Sequence, residues 1–263
     1  QILGGTLTIT EDSGITVPEG KTLQLSQVGG LPLGANTLTL SGGGTFTSGG
    51  VTLNNEQSKI RLNDIILDSA ITTADSLGLD VDANSTVNAL EIGDITPVSI
   101  ADGVTLSGGV EVTAGSIKIN ETGTLASTIT MSGGTLDVDE TSTLSGALTQ
   151  SGNLTIDVTN GKTLTYSGAA VNTGANTLTL SGGGTLNNTN AFVLNNANSK
   201  LLLNNIVLYK GSTSLDNSGI DVDINSTIYA LAIGHITPLS IAAGNSLGGE
   251  INVTARWSPN HLR

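Results

Sequence analysis

Apolar and polar residues alternate with a period of two along nearly the whole chain. The segments 6–10, 22–26, 37–41 and 153–157 each place Leu or Ile between Thr, Ser, Gln, Asn or Asp. A strand with this alternation has its aliphatic side chains on one face and its polar side chains on the other. The best helix candidate, 70–76, is short and rich in Thr. The pattern therefore predicts an all-β chain of short strands and turns.

The chain contains a long internal duplication. The twelve residues 34–45 return unchanged as 174–185, an offset of 140 residues. Two later blocks return in modified form at an offset of 141 residues, 58–67 as 199–208 and 78–101 as 219–242. A duplication made of short alternating strands is typical of repeat architectures, in which each unit stacks on its neighbour.

The duplication also predicts the domain organisation. We expect one continuous domain over 1–255, with copies at about 4–116 and 151–255 and a spacer at 117–150. The octapeptide 256–263 resembles nothing upstream and contains Trp257, the single Trp of the chain. It is predicted to be an atypical C-terminal tail or cap, and truncation of a longer array is the favoured explanation for it.

Two all-β architectures compete. A sandwich or antiparallel barrel would typically show hairpin signals and aromatic residues in its core. A parallel β-solenoid has a narrow interior that favours Leu, Ile and Val, and only 2% of the residues here are aromatic. Its corners need residues that tolerate positive φ, and Gly and Asn are abundant between the strands. We therefore predict a single-stranded parallel β-helix of roughly a dozen turns, a rod about 60 Å long.

Composition restricts the partners. The 263 residues carry a net charge of −13, which argues against nucleic acid because phosphate binding needs clustered Lys and Arg. No apolar run approaches the roughly 18 residues of a membrane-spanning helix, so no membrane insertion is expected. Cys is absent, which excludes disulfides and Cys-bound metals.

Paired carboxylates are the clearest chemical signal. Asp80 and Asp82 recur as Asp221 and Asp223, and 137–140 forms a related acidic run. On a strand such carboxylates project from one face about 6.5–7 Å apart, a separation that acid–base glycosidases also use. Calcium is a second interpretation, since Asp and Asn oxygens suit it. Solvated outward charges are the simplest one, and we predict no catalytic, cofactor-binding or metal-binding residue.

Nucleophilic catalysis is not expected. Of the two His, His235 replaces Asp94 of the first copy and His261 lies in the octapeptide, so a Ser-His-Asp arrangement is improbable.

Outward Thr pairs suggest a different activity, because flat β-solenoids use such pairs to order water against ice. The pairs are Thr6/Thr8, Thr37/Thr39, Thr163/Thr165 and Thr177/Thr179. An ice-binding face needs the pair on every turn, whereas Gln24, Ser26, Asn63 and Asp157 interrupt the series here. Thr is also common on exposed strands for reasons of propensity alone.

The Gly-rich SGG-TL units and the TLTLSGGGT strands at 37–45 and 177–185 resemble repeats of large bacterial secreted and surface proteins. The resemblance is to autotransporter passenger domains and related adhesins. It implies a right-handed parallel β-helix, a secreted or cell-surface location, and a role as a stalk, adhesin or matrix component.

We therefore predict a structural or adhesive segment of a larger protein, without enzymatic activity, that contacts a host or matrix surface. A polysaccharide-acting β-helix enzyme and an ice-binding β-solenoid are the alternatives. Because the end turns of a solenoid leave backbone groups unpaired, end-to-end self-association is also expected.

Overall fold

The structure is a computed structural model that describes residues 1–27, 29–74, 76–210, 212–214, 219–233 and 238–253. In this part of the chain the regular structure consists of 32 β-strands, without any helix. The prediction of an all-β chain is confirmed. The predicted tail or cap at 256–263 lies outside the described residues.

The strands are short, and most contain two to five residues. The first sixteen are β1 Ile2–Leu3, β2 Ser13–Thr16, β3 Thr22–Leu25, β4 Leu31–Pro32, β5 Thr37–Ser41, β6 Thr45–Thr47, β7 Val51–Leu53, β8 Lys59–Asn63, β9 Ile66–Thr73, β10 Gly78–Ala83, β11 Ser85–Ile92, β12 Thr96–Ile100, β13 Thr105–Val112, β14 Ser116–Ile119, β15 Thr124–Leu125 and β16 Thr128–Met131. The others are β17 Thr135–Val138, β18 Ser142–Leu144, β19 Leu148–Gln150, β20 Leu154–Val158, β21 Thr163–Tyr166, β22 Val171–Asn172, β23 Thr177–Ser181, β24 Thr185–Asn188, β25 Phe192–Leu194, β26 Lys200–Asn204, β27 Val207–Leu208, β28 Ser212–Ser214, β29 Gly219–Ile224, β30 Ser226–Ile233, β31 Leu239–Ile241 and β32 Leu247–Val253.

The strands form two sheets that run the length of the structure. Sheet I contains twelve strands in chain order, namely β2, β5, β8, β10, β12, β14, β17, β20, β23, β26, β29 and β31. Each strand of sheet I pairs in parallel with the next one. Sheet II contains the other twenty strands. Because each turn of the chain returns once to sheet I, the fold is a parallel β-solenoid of about twelve turns, as predicted.

Equivalent turns of the two copies have the same structure. Strands β5 and β23, which carry the same five residues, lie seven turns apart in sheet I. Equivalent hydrogen bonds recur at the corners: the Ile65 N–H donates to Ser85 Oγ at 3.3 Å, and the Ile206 N–H donates to Ser226 Oγ at 3.2 Å. The two copies therefore repeat the same backbone path.

The interior is built from aliphatic residues that stack on one another. In sheet I, Leu38 lies opposite Ile60 and Leu40 opposite Leu62, and all four are fully buried. The intervening Thr39 remains partly exposed on the outer face. Burial of one such aliphatic side chain stabilises the fold by roughly 1.5–3 kcal/mol.

The interior also accommodates rings, which the aliphatic composition did not indicate. Phe46, Tyr166 and Phe192 are buried, and the rings of Tyr166 and Phe192 stack with centroids 6.4 Å apart. The Tyr166 hydroxyl donates to the Ala169 carbonyl at 2.5 Å and accepts the Leu148 N–H at 3.2 Å. Burial raises the pKa of the Tyr166 phenol.

Four strands of sheet II, β9, β11, β13 and β30, are eight residues long. The short helix candidate at 70–76 is largely part of β9. Between β11 and β13 the register shifts after Val87, which is the mark of a β-bulge. Gly108 is at this point with a φ of 115°, and a Cβ there would lie 1.7 Å from the Val87 carbonyl oxygen. The close approach of the two strands therefore requires glycine.

The last turn exposes residues that the first copy buries. Leu239, Ile241, Ile251 and Val253 in β31 and β32 are 39–64% exposed. Their counterparts in the first copy are at most 3% exposed, namely Val98, Ile100, Val110 and Val112. In the first copy these counterparts lie in β12 and β13, which pair with β14, β15 and β16 of the following turn and are covered by it. The described structure therefore has an apolar rim at this end.

Candidate functional site

The acidic pairs that the sequence indicates lie on the outer face of sheet I. Asp80 and Asp82 belong to β10, and Asp221 and Asp223 belong to β29. In β10 the buried Val81 separates the two carboxylates, so both project outward, as the period of two predicts.

In the first copy these carboxylates form ion pairs with the preceding turn. Lys59 Nζ lies 2.7 Å from Asp80 Oδ2, and Arg61 Nη2 lies 3.2 Å from the same oxygen. Arg61 Nε also lies 3.3 Å from Asp82 Oδ2. Lys59 and Arg61 belong to β8, the strand that pairs with β10. The acidic pair is therefore a set of contacts between successive turns.

The second copy keeps the lysine contact. Lys200 of β26 forms an ion pair with Asp221 of β29 across the equivalent strand pair. The position of Arg61 is taken by Leu202, which lies opposite Asp221, and Asp223 is exposed. The second acidic pair therefore has one cation from the preceding turn, where the first has two.

The third acidic run surrounds Lys118. Its Nζ lies 2.7 Å from Asp139 Oδ2 and 3.4 Å from Asp137 Oδ2. The hydrogen bond between Lys118 and Asp139 is the main reason that the pKa of the Lys118 ammonium is raised and that of the Asp139 carboxyl lowered. Burial raises the pKa of Asp137 and outweighs the attraction of Lys118.

The geometry explains these carboxylates without a bound ligand. Lysine or arginine nitrogens form ion pairs with Asp80, Asp137, Asp139 and Asp221. Among the residues that the structure describes, no group of three or more His, Asp or Glu side chains could hold a metal ion. Ion pairs on the outer face of sheet I thus join neighbouring turns at three places, β8/β10, β14/β17 and β26/β29.

The Thr pairs do not share one face. Thr37/Thr39 and Thr177/Thr179 belong to sheet I, whereas Thr163/Thr165 belong to β21 in sheet II, and Thr6/Thr8 lie outside any strand. On sheet I the neighbours of Thr37 and Thr39 in the next turn are Lys59 and Arg61. On sheet I, charged side chains therefore interrupt the series of Thr hydroxyls in the turn that follows Thr37 and Thr39.

The two His residues of the chain, His235 and His261, both lie outside the described residues.

A surface groove follows sheet II where β9, β11 and β13 change register. We call this groove the crease. It includes a cleft of about 410 Å³ lined by Asp68, Thr86, Asn88 and the two glycines Gly108 and Gly109. Two further clefts extend it along the axis, towards Asp64 on one side and Thr130 on the other. Its lining in the described turns contains hydroxyls, amides and carboxylates, without Lys or Arg.

Sequence reasoning missed two residues of the second copy that take the place of a residue pair in the crease. In the first copy Asn88 Nδ2 donates to Asp68 Oδ1 at 3.1 Å. At an offset of 141 residues the same two positions hold Tyr209 and Tyr229, whose ring centroids are 5.2 Å apart and whose planes are inclined by 40°. The signal was present in the duplication, since both members of one pair differ between otherwise similar copies.

Comparisons with family models, curated proteins and solved structures found no match to this chain. Within the described ranges no helix is long and apolar enough to cross a membrane.

Proposed function

We propose that this chain is a structural and adhesive segment of a larger secreted or cell-surface protein and that it catalyses no reaction. The fold agrees with the β-solenoid repeats of large bacterial surface proteins that the SGG-TL units resemble. A rod of parallel turns would separate or display other parts of such a protein and contact a host or matrix surface.

The observation that carries this proposal is the use of the carboxylates. Asp80, Asp139 and Asp221 each face a lysine of the preceding turn. An acid–base catalyst needs a carboxylate that is open to its substrate, and an ice-binding face needs uninterrupted hydroxyls. The outward charges of sheet I serve instead to tie turn to turn, which is the requirement of a rod.

Two measurements on the full chain test this function. Small-angle scattering should give a rod about 60 Å long, as expected for a dozen turns with a strand spacing of about 4.8 Å. Reducing-sugar and unsaturated-product assays on neutral and acidic polysaccharides should show no product. A compact particle, or product formation that disappears in the variant Asp80→Asn, would contradict the proposal.

The cellular location requires a separate test. Protease treatment of intact native cells should digest the protein if it is displayed on the surface, and culture medium should contain it if it is released. Detection only after the cells are broken would contradict both locations.

The apolar rim also supports end-to-end association. Ile2 and Leu3 are exposed at the first turn, and Ile241 and Val253 are exposed at the last. Unpaired strands of this kind add further strands through their backbone groups. Sedimentation velocity should show assemblies that grow with concentration and that decrease in the variant Ile241→Lys. A chain that stays monomeric at all concentrations would refute end-to-end association.

A further inference from the structure

The tyrosine pair differs from every other aromatic contact in the described structure. Tyr209 and Tyr229 are 53% and 47% exposed, whereas Tyr166 and Phe192 form the stacked pair inside the solenoid. The chain has only three Tyr, and two of them lie on the surface in direct contact. The fold does not require aromatic side chains at these two positions, since Asp68 and Asn88 occupy the equivalent positions in the first copy.

The ring of Tyr229 has an open side. The next strand, β32, presents Gly248 and Gly249 opposite Thr227 and Ile228, and Glu250 follows before the register resumes at Ile251. The two glycines bring no side chain against the ring. Glu250, at the register shift between these glycines and Ile251, is exposed.

The backbone at this point is strained. Ala230, the residue after Tyr229, has a φ of 67°, in the left-handed region that costs an alanine roughly 1–2 kcal/mol. The equivalent Ala89 of the first copy is not among the residues with positive φ. Strain held at one residue of an otherwise repeated path is a feature of binding sites.

The chemistry of the site points to a sugar. An aromatic ring offers a flat apolar face to the C–H groups of a pyranose, and the surrounding amide, hydroxyl and carboxylate groups suit its hydroxyls. Asn187 precedes Tyr209 by one turn in the same column of sheet II, and Thr227 lies beside Tyr229 on β30. The net charge of −13 disfavours acidic polysaccharides.

The spacing along the axis also fits a polymer. Neighbouring strands lie about 4.8 Å apart, which is close to the length of one sugar unit in an extended chain. A glycan that runs along sheet II parallel to the solenoid axis would therefore meet about one turn of the solenoid per sugar.

We propose that the exposed pair Tyr209 and Tyr229 forms a binding site for a neutral pyranose glycan on sheet II of the second copy. The inference deepens the adhesive role proposed above and rests on it, since it names the class of surface that the rod would contact.

The duplication supplies a matched pair of variants. Tyr209→Asp with Tyr229→Asn gives the second copy the pair that the first copy already carries, so the fold should be kept. Asp68→Tyr with Asn88→Tyr makes the reciprocal exchange and creates a second tyrosine pair seven turns away. Thermal melting and small-angle scattering of both variants verify the rod independently of binding.

The probes are cellohexaose, laminarihexaose and mannohexaose, with a galacturonate hexamer and a glucosamine hexamer as acidic and cationic comparisons. Calorimetry of the full chain should show one binding site for at least one neutral hexaose. The first exchange should raise the Kd by at least about tenfold, which is the loss of affinity expected for one aromatic contact. The second exchange should raise the stoichiometry to two.

The results that overturn the proposal are equally defined. They are binding of no neutral hexaose, binding of a charged hexamer alone, or neutral binding that survives the first exchange. Because the scattering measurement reports the rod separately, failure of the unaltered chain to bind any neutral hexaose while its rod is intact refutes the glycan site and leaves the structural function standing.

Discussion

Replacement of Gly108 by alanine should disrupt the contact between β11 and β13. A Cβ at this position would lie 1.7 Å from the Val87 carbonyl oxygen, whereas ordinary contacts are about 3.5 Å or longer. The φ of 115° is also unfavourable for any residue except glycine. The strands would have to separate by more than an ångström, which breaks the backbone hydrogen bonds beside the bulge.

The size of the effect follows from these two causes. Positive φ costs an alanine roughly 1–2 kcal/mol, and each lost hydrogen bond costs about 1 kcal/mol or more. We expect Gly108→Ala to lower the free energy of unfolding by about 3–5 kcal/mol. Gly103→Ala is the matched control, because Gly103 has a φ of 71° but nothing within 4 Å of the added carbon. It should cost only about 1–2 kcal/mol.

Urea unfolding followed by circular dichroism gives both free energies. Since solenoids can unfold in parts, hydrogen exchange should also show faster opening of β11 and β13 in Gly108→Ala than in Gly103→Ala. Equal destabilisation by the two substitutions would refute the reasoning, because it would mean that the close approach to Val87 does not add to the loss of stability in Gly108→Ala.

Three further predictions concern the interior and the charged face. Tyr166→Phe removes the hydroxyl that accepts the Leu148 N–H, and it should lower the free energy of unfolding by about 1–3 kcal/mol in urea titrations; an unchanged midpoint would contradict the buried hydrogen bond. The contact with Lys118 lowers the pKa of Asp139, so its stabilising effect is present above the pKa of the unfolded chain and is lost as the pH falls through the folded value. Asp139→Asn should therefore reduce stability at neutral pH and lessen the loss on acidification, and parallel melting curves for both proteins across acidic pH would oppose this. Because Asp80 already faces two cations, the Tm in excess calcium should equal the Tm measured in the presence of a chelator. A Tm several degrees higher in calcium would show that calcium competes with these cations.

The sequence was sufficient to predict the fold because the alternation within each strand shows which of its side chains point to the interior. Leu38 and Leu40 alternate with Thr, so their burial in sheet I needs no knowledge of any other turn. The exact repeat at 34–45 and 174–185 adds the regular spacing, which gives about twenty residues per turn over seven turns. Local pattern and repeat together therefore indicate a parallel solenoid of the correct size.

The contacts between turns were not accessible in the same way. Lys59 and Asp80 pair across β8 and β10, and this contact depends on the register of two strands that are connected through β9 of sheet II. A shift of the register by one residue would turn the side chains to the opposite face and separate them. The sequence therefore favoured solvated outward charges for the acidic pairs, with glycosidase chemistry and calcium as alternatives, whereas the structure shows several of these carboxylates as partners of cations.

The crease illustrates a third case. Its glycines Gly108 and Gly109 are visible in the sequence, but the concave surface exists only because β9, β11 and β13 bend together at the register shift. The contact between Tyr209 and Tyr229 likewise requires the register of β27 and β30. A comparison of the two copies position by position would have identified these two residues as an exchanged pair.

The identity of 34–45 and 174–185 has a consequence for how such a chain can evolve. Unequal genetic recombination between these two stretches would delete or add one whole copy of the duplicated unit. The new junction would contain the same twelve residues, so the altered gene would still encode strands that match across the splice. The length of the protein could thus change in steps of about 34 Å, or seven strand spacings, while the fold stays the same.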